Sequence, residues 1–339
     1  MARFDAAGAL HVGPESAGAD PGPICYGRGE TPTVSDANLL LGRIRADNFL
    51  GGGFKLDLDR TERLTREWLK RNSSKLSVEQ FAAGVVRVVN ANMEKAIRVV
   101  SVERGYDPRY FTLVAFGGAG GLHACELASA LAIPRVIVPV LPGALSAYGI
   151  LASDVVKDYS RTVVWTATAE NVPDVRLRRE FAVLEKAARA DIARERWEGT
   201  PRLERSVDVR YSGQGYELNI PWSRRLLDDF HKEHKRRYGY SHPQRGVELV
   251  TLRLRARLPV AKPRVNKEVG TSRAAGTVRA RVYFDKWIPT SMLERASLIE
   301  GRNYRGPAVM TEYSATTYVP PGMNFRLDGP GNLLIEIRR

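Results

Sequence analysis

Between Phe81 and Val100 the apolar residues return every three or four positions: Phe81, Val85, Val88, Val89, Met93, Ala96, Ile97 and Val100. That spacing puts them on one face of a helix. Ser77 followed by Gln80 three residues later is the sequence of a capping box, so the helix is predicted to begin there. Gly105 and Pro108 stand where it should stop. Upstream the pattern is different. Residues 1–60 are punctuated by Gly and Pro, from Gly13 to Pro23, then Gly27 and Gly29, then Gly51, Gly52 and Gly53. Such punctuation prevents long regular elements and lets backbone approach other groups closely.

The most informative stretch follows the helix. Phe111-Thr-Leu-Val-Ala-Phe116 reads as a buried strand, Gly117-Gly-Ala-Gly-Gly121 as a loop, Leu122 to Leu131 as a helix and Pro134 to Pro139 as a second strand. Strand, glycine loop, helix, strand is a βαβ unit of a parallel sheet.

Past residue 158 the character changes. Helices are predicted over 177–197 and 223–238, with strands at 206–211, 216–220 and 247–258. In the last of these, apolar residues alternate with arginine, as on a half-exposed strand. Residues 259–275 resemble a linker, and strand-like runs return at 278–284, 308–312, 316–319 and 333–337. The expected organisation is therefore α/β over 1–158, α+β over 159–262 and β-rich over 263–339.

Composition narrows the function classes. The chain has 339 residues, 43% hydrophobic and 27% charged, an ordinary globular balance. No run of about 18 apolar residues predicts a membrane span. The N-terminus lacks a basic-then-apolar signal pattern. Two cysteines, Cys25 and Cys125, form neither a disulfide framework nor a metal-spaced cluster, so a reducing cytoplasm is the expected compartment. The net charge of +14 raises nucleic acid as a partner. Yet the arginines are scattered, the run His231 to Arg237 is interleaved with acid, and no aromatic stacking signature accompanies it. A solvated basic surface, or one that meets an acidic subunit, is the expectation.

Several residues are candidates for chemistry. Glycines after a strand can turn main-chain N–H groups toward a ligand. Gly117, Gly118, Ala119, Gly120 and Gly121, with His123 just inside the helix, are the candidate nucleotide-contacting set. The loop lacks the Gly-Lys-Ser/Thr ending of a phosphate-binding loop and the Gly-x-Gly-x-x-Gly spacing, so it reads equally as a tight strand-to-helix turn. In the 13–38 segment, Asp20 and Asp36 are the candidate catalytic carboxylates. Asp36 could hold Mg²⁺ or act as a base, or it could cap a short helix beginning at Ala37. Cys25 would need a histidine base within reach to act as a nucleophile. His231, His234 and His242 have a spacing open to metal binding, but Phe230 and Tyr238 around them suit a packing helix.

Taken together, the motifs resemble the hydantoinase A/oxoprolinase family. They are Gly13 to Gly27, Pro32 to Asn38, Phe49 to Gly52, Phe116 to Ala124, Pro142 to Gly149, Arg210 to Gln214 with Glu217-Leu218, Gly306 to Met310 and Thr316 to Gly322. They span nearly the whole chain in the family's order. The resemblance implies the C-terminal part of an actin-like/sugar-kinase-like ATPase domain, followed by the two further regions. It implies ATP and Mg²⁺ as cofactors, with Gly117–Gly121 and His123 on the adenosine side. It implies ATP-dependent opening of 5-oxoproline or a hydantoin ring, in which phosphorylation turns an amide oxygen into a good leaving group. A ketone carboxylase subunit and an inactive structural or assembly fragment are the alternatives.

One departure matters. Such ATPases bind phosphates through upstream Asp-x-Gly-Gly-Thr-like loops, and this sequence has none. Its first residues, Arg3 to Leu10, resemble a hairpin that normally follows that region. The expected partners are therefore an N-terminal hydantoinase A-type chain, a hydantoinase B-type subunit and a small cyclic amide, with no nucleic acid and no membrane.

Overall fold

The computed structural model describes residues 1–168, 171–263 and 278–337. The chain opens with a hairpin of β1 (Ala2–Phe4) and β2 (Leu10–Val12), then helices α1 (Val34–Leu40), α2 (Leu58–Arg71) and α3 (Val78–Val100). Next come β3 (Thr112–Val114), α4 (Gly120–Ala130), β4 (Arg135–Val138) and α5 (Leu145–Ala152). The middle stretch runs β5 (Val155–Ala167), α6 (Asp174–Arg194), β6 (Arg202–Tyr211), β7 (Leu218–Pro221), α7 (Leu226–Tyr238) and β8 (Val247–Leu258). The final stretch contributes β9 (Val278–Phe284), β10 (Lys286–Glu294), β11 (Tyr304–Arg305), β12 (Ala308–Glu312), β13 (Ala315–Val319), β14 (Asn324–Leu327) and β15 (Leu333–Glu336).

These elements group into two compact units, Met1–Tyr148 with Val265–Arg339, and Gly149–Arg264. The expected three consecutive regions need correcting here. The last strands do not stand apart, because β15 pairs antiparallel with β4 and extends the sheet that β3 and β4 begin. Hydrogen bonding across some two hundred residues makes that sheet, and no local pattern announces it. The expected linker over 259–275 lies outside the described residues beyond position 263.

In the first unit, β3 and β4 are parallel, as the βαβ reading requires, within a five-stranded sheet of order β11-β14-β15-β4-β3. A second, four-stranded sheet has the order β13-β12-β10-β9. Helix α4 contacts the cores of both. Its Ala124, Cys125 and Ala128 pack in one cluster with Val136, Val138 and Ile335, and its Leu122 packs in another with Val309 and Tyr318. A helix buried on more than one side needs small or apolar residues nearly all round, which is what its sequence provides. A third cluster ties β1, β2, α1 and α2 to Phe81, Val85 and Val86 of α3.

Helix α3 begins where its sequence says. Ser77 and Gln80 form both bonds of the capping box, and Gly105 takes a left-handed conformation at φ 82° just beyond the helix. Two local readings change. β3 covers three residues, not six, and it lies at the sheet edge with Phe111, Val114 and Phe116 exposed, so it is not the buried strand expected over 111–116. Helix α4 starts at Gly120, two residues before the expected Leu122.

The second unit is an antiparallel sheet of order β5-β8-β6-β7 packed against α6 and α7. Along β8 the apolar residues Leu252, Leu254, Ala256 and Leu258 are buried, while Arg253 and Arg255 are exposed. This alternation is the period of two anticipated from the sequence.

Candidate functional site

The glycine loop joins β3 to α4. Gly117 has φ +83°, a conformation that favours glycine, and its N–H donates to the Pro142 carbonyl at 2.8 Å. Thr316 N–H donates to the Gly118 carbonyl at 3.2 Å. Ala119 caps the start of α4 without any side-chain hydrogen bond to the helix. Gly118 and Ala119 are exposed. The first turn of α4 therefore lacks the side-chain oxygen that usually satisfies its N–H groups, next to backbone that glycine leaves accessible.

Three separate glycine segments meet at one place, the turn between β12 and β13. A Cβ on Gly143 would stand 2.2 Å from Ser314 Oγ, one on Gly118 would stand 3.0 Å from the Ser314 carbonyl, and one on Gly51 would stand 2.8 Å from the Tyr313 ring. Gly121 is similarly confined, with Thr317 Oγ1 2.4 Å from the position of a Cβ. The glycines at 51, 118, 121 and 143 thus share a reason. Each lets its segment, a loop or in the case of Gly121 the first turn of α4, lie directly on the β12–β13 hairpin. Sequence reasoning missed Tyr313 and Ser314, because an exposed turn residue carries no chemical signature of its own.

Beneath the loop runs a polar network. His123 is buried and its Nδ1 lies 2.7 Å from Asn90 Oδ1. Asn90 Nδ2 donates to Glu126 Oε2, and Arg43 Nη2 donates to Glu126 Oε1 at 2.8 Å. The Arg43 guanidinium also sits 4.6 Å from the centre of the Tyr318 ring. Burial, with the nearby Arg43 cation adding to it, lowers the His123 pKa to about 4, so the ring is neutral at pH 7. Arg43, Asn90 and Glu126 had not been singled out. They lie in different segments, and only the fold brings them together.

Asp36 is fully buried and does not cap a helix at Ala37. Thr33 is the cap of α1, which begins at Val34, and Asp36 is the third residue of a capping box. Its Oδ2 accepts from the N–H groups of Ile24 at 3.1 Å and Thr33 at 2.8 Å and from Thr33 Oγ1 at 2.8 Å, while Oδ1 accepts from the Cys25 N–H at 2.8 Å. This geometry fits a carboxylate that closes the 13–38 loop. It does not fit one that approaches a substrate or metal ion from solvent. Asp20 lies instead at the surface, 3.4 Å from Arg28.

Cys25 is buried beside Asp36, and burial together with that carboxylate pushes its thiol pKa up. Burial does the same to Cys125. Neither has the lowered pKa of an activated nucleophile. In the second unit the Tyr211 hydroxyl bridges the His242 N–H at 2.7 Å and His231 Nδ1 at 2.8 Å, and His234 Nδ1 donates to the Tyr240 carbonyl at 2.8 Å. Among the described residues no group of three or more His, Cys, Asp or Glu side chains could hold a metal ion. These histidines gather around the Tyr211 ring, with His234 buried, His231 half-buried and His242 exposed.

Part of the basic charge is held in ion pairs. On the second unit's sheet a cleft of about 480 Å³ includes Arg253 and Arg255 in its lining. Arg253 pairs with Asp208 at 2.7 Å and Arg255 with Asp158 at 2.8 Å. Among the described residues no helix is long and apolar enough to cross a membrane.

Comparison with known proteins supplies the family. The hydantoinase/oxoprolinase model matches residues 1–159, and the hydantoinase/oxoprolinase C-terminal domain matches residues 176–336. The chain belongs to the hydantoinase/oxoprolinase family. It is 38% identical to an uncharacterized protein of Methanocaldococcus jannaschii, over 99% of this chain and 49% of that one. It is 33% identical to the caprolactamase subunit alpha of Pseudomonas jessenii, over 97% of this chain and 50% of the relative. Among solved structures, nucleotide-free acetone carboxylase matches with a TM-score of 0.84 and 26% identity, covering 99% of this chain and 51% of that one. The ATP-dependent caprolactamase from Pseudomonas jessenii matches with a TM-score of 0.67 and 31% identity, covering 100% of this chain and 52% of that one. The mixed α/β fold is thus the one these family ATPases carry. The chain spans about half the length of these two curated relatives and about a quarter of the 5-oxoprolinases it also matches.

Proposed function

We propose that this chain is the adenosine-side component of an ATP-dependent enzyme that opens a cyclic amide such as 5-oxoproline or a hydantoin. The observation that carries the reading is the uncapped start of α4 beside exposed Gly118 and Ala119, braced from below by the β12–β13 hairpin. Backbone N–H groups and the helix dipole favour an anionic or hydrogen-bond-accepting ligand at such a place. ATP fits it, and when bound it would supply the phosphoryl group that activates the amide oxygen. Relatives named as an ATP-dependent caprolactamase and as 5-oxoprolinases support the cyclic-amide class.

The residues of this chain have defined tasks in that reading. Gly117 to Gly121 give the nucleotide a surface free of side chains. The neutral ring of His123 and the Arg43–Glu126 pair hold the helix start in place. Among the described residues no group of three or more His, Cys, Asp or Glu side chains is placed to hold Mg²⁺. Phosphate positioning falls to the portion of the family protein that this chain does not cover. An N-terminal hydantoinase A-type polypeptide, with a hydantoinase B-type subunit beside it, would complete the catalytic assembly.

A ketone carboxylase is the second reading. It is favoured by the TM-score of 0.84 to acetone carboxylase, against 0.67 to the caprolactamase. ADP release by the assembled enzyme separates the two when 5-oxoproline, hydantoin, and ketone plus bicarbonate are offered in turn. Turnover of a cyclic amide without bicarbonate is expected. Turnover only with ketone and bicarbonate would transfer the assignment to the carboxylases, and no turnover with any would favour an assembly role. In the same enzyme Gly120→Val should abolish nucleotide binding, with Gly120→Ala as the fold control because a Cβ there meets nothing closer than 3.7 Å.

A further inference from the structure

Arg43, Glu126, Asn90 and His123 form a chain of side chains whose far end has no partner. Arg43 Nη2 and Asn90 Nδ2 occupy the two oxygens of Glu126. With its amide nitrogen committed to that carboxylate, Asn90 turns Oδ1 to His123 Nδ1 at 2.7 Å and takes the ring's one proton. A neutral imidazole with its proton on Nδ1 has a bare lone pair on Nε2. Among the described residues nothing donates to that atom. Nor is it sealed in. His234 Nε2 is enclosed without a partner, whereas His123 Nε2 keeps contact with solvent although the residue is only 5% exposed.

The lone pair has a definite place. His123 is the fourth residue of α4, and helical side chains lean toward the N-terminus. The ring therefore covers the first turn, beside exposed Gly118 and Ala119. Nδ1, the nitrogen nearer the backbone, is spent on α3, which leaves Nε2 at the outer end of the ring. The first-turn N–H groups of α4 are donors. Donors and one fixed acceptor thus stand together. A phosphate oxygen suits the donors but is repelled by a lone pair that can only accept. A nucleoside suits both, since a ribose hydroxyl or an adenine 6-amino group brings a donor with an acceptor beside it.

We infer that His123 Nε2 accepts a hydrogen bond from the nucleoside part of the ligand, a ribose hydroxyl or the 6-amino group, and that Arg43, Glu126 and Asn90 are positioning residues that keep the ring in this tautomer. Burial and the Arg43 cation oppose a second proton, so the acceptor persists at neutral pH. A ligand without the donor would strip water from the lone pair and leave it unpaired, which is how such a site rejects it. The inference rests on reading the glycine loop as a nucleotide site, and it adds which atoms of the nucleotide are recognised.

The test uses the full chain with isotope-labelled histidine, the His123 nitrogen signals being those lost in His123→Gln. Without ligand the ring should carry its proton on Nδ1, and a proton on Nε2 would overturn the inference. Saturating ATP should shift the Nε2 resonance as it gains a hydrogen bond. Calorimetry then compares ATP with inosine triphosphate, which lacks the 6-amino group, and with the 2′- and 3′-deoxy forms. One of these should bind roughly tenfold more weakly than ATP, and which one identifies the donor. In His123→Phe that difference should vanish. Asn90→Ala should bring up the signals of the second tautomer as ATP binding weakens, a change that loss of packing alone does not produce. Thermal melting checks that both variants are folded. ATP that binds no better than its three analogues, or that binds without moving Nε2, would overturn the inference and leave the nucleotide reading standing. No binding of any nucleotide would sink both.

Discussion

His123 on α4 donates its Nδ1 proton to Asn90 Oδ1 on α3 across 2.7 Å. The direction follows from the next link. Glu126 can only accept, so Asn90 presents Nδ2 to it and Oδ1 to the histidine. That bond fixes the tautomer of the imidazole, while burial and the nearby Arg43 cation keep the ring neutral.

The burial of that neutral ring makes the fold acid-sensitive. An unfolded histidine takes up its proton near pH 6.5, whereas His123 resists until about pH 4. The stabilisation is therefore complete above pH 6.5 and is lost as the pH falls through that window. Between pH 7 and pH 5 the loss should be about 2 kcal/mol. Urea unfolding at both pH values measures it. His123→Gln should shrink the difference, and an unchanged acid limb would remove His123 as its source.

Arg43 and Glu126 should be strongly coupled. The arginine side chain is 6% exposed and the glutamate 25%, so removing the cation strands a partly buried carboxylate. Arg43→Ala is expected to cost about 3 kcal/mol. Arg43→Ala combined with Glu126→Gln should cost clearly less than the sum of the single changes. Additive costs in that double-mutant cycle would show that the pair acts independently.

Asp36→Asn should destabilise the chain by about 2–3 kcal/mol, because an amide nitrogen would then face an N–H group that the carboxylate now accepts. Thermal melting provides the measurement. Wild-type stability in Asp36→Asn would return the residue to the list of carboxylates available for chemistry.

The glycines of the loop should differ sharply from one another. Gly121→Ala puts a Cβ 2.8 Å from the Thr316 carbonyl and should cost about 1–3 kcal/mol. Gly120→Ala has room and should be nearly neutral in stability. Denaturant midpoints compare them, and equal costs would contradict the close approach of α4 to β13.

Both thiols should resist alkylation in the folded chain at pH 8, since burial excludes the reagent and keeps them protonated. Mass spectrometry after brief treatment should find modification only once denaturant is added.

Local readings of the sequence held where the information was local. The capping box at Ser77, the period of α3, the glycine punctuation of the first loops, the alternation along β8 and the strand–loop–helix–strand order around Gly117 are all written in neighbouring residues. The motifs that mark the family are equally legible, because each is a short run of small or special residues.

What the residues near Gly117 could not reveal is what lies against them. The approach of Gly51, Gly118 and Gly143 to one turn, the pairing of β15 with β4, and the assembly of Arg43, Asn90, His123 and Glu126 join positions far apart in the chain. Asp36 shows the difference most clearly. Its sequence neighbourhood left it open as a catalyst, and the fold surrounded it with donors. By itself the sequence determined which elements form and to which family the chain belongs, since propensity, capping and motif spacing act over a few residues. Only the tertiary structure decided which polar groups are buried, paired or left facing solvent, because burial depends on what the rest of the chain brings to each place.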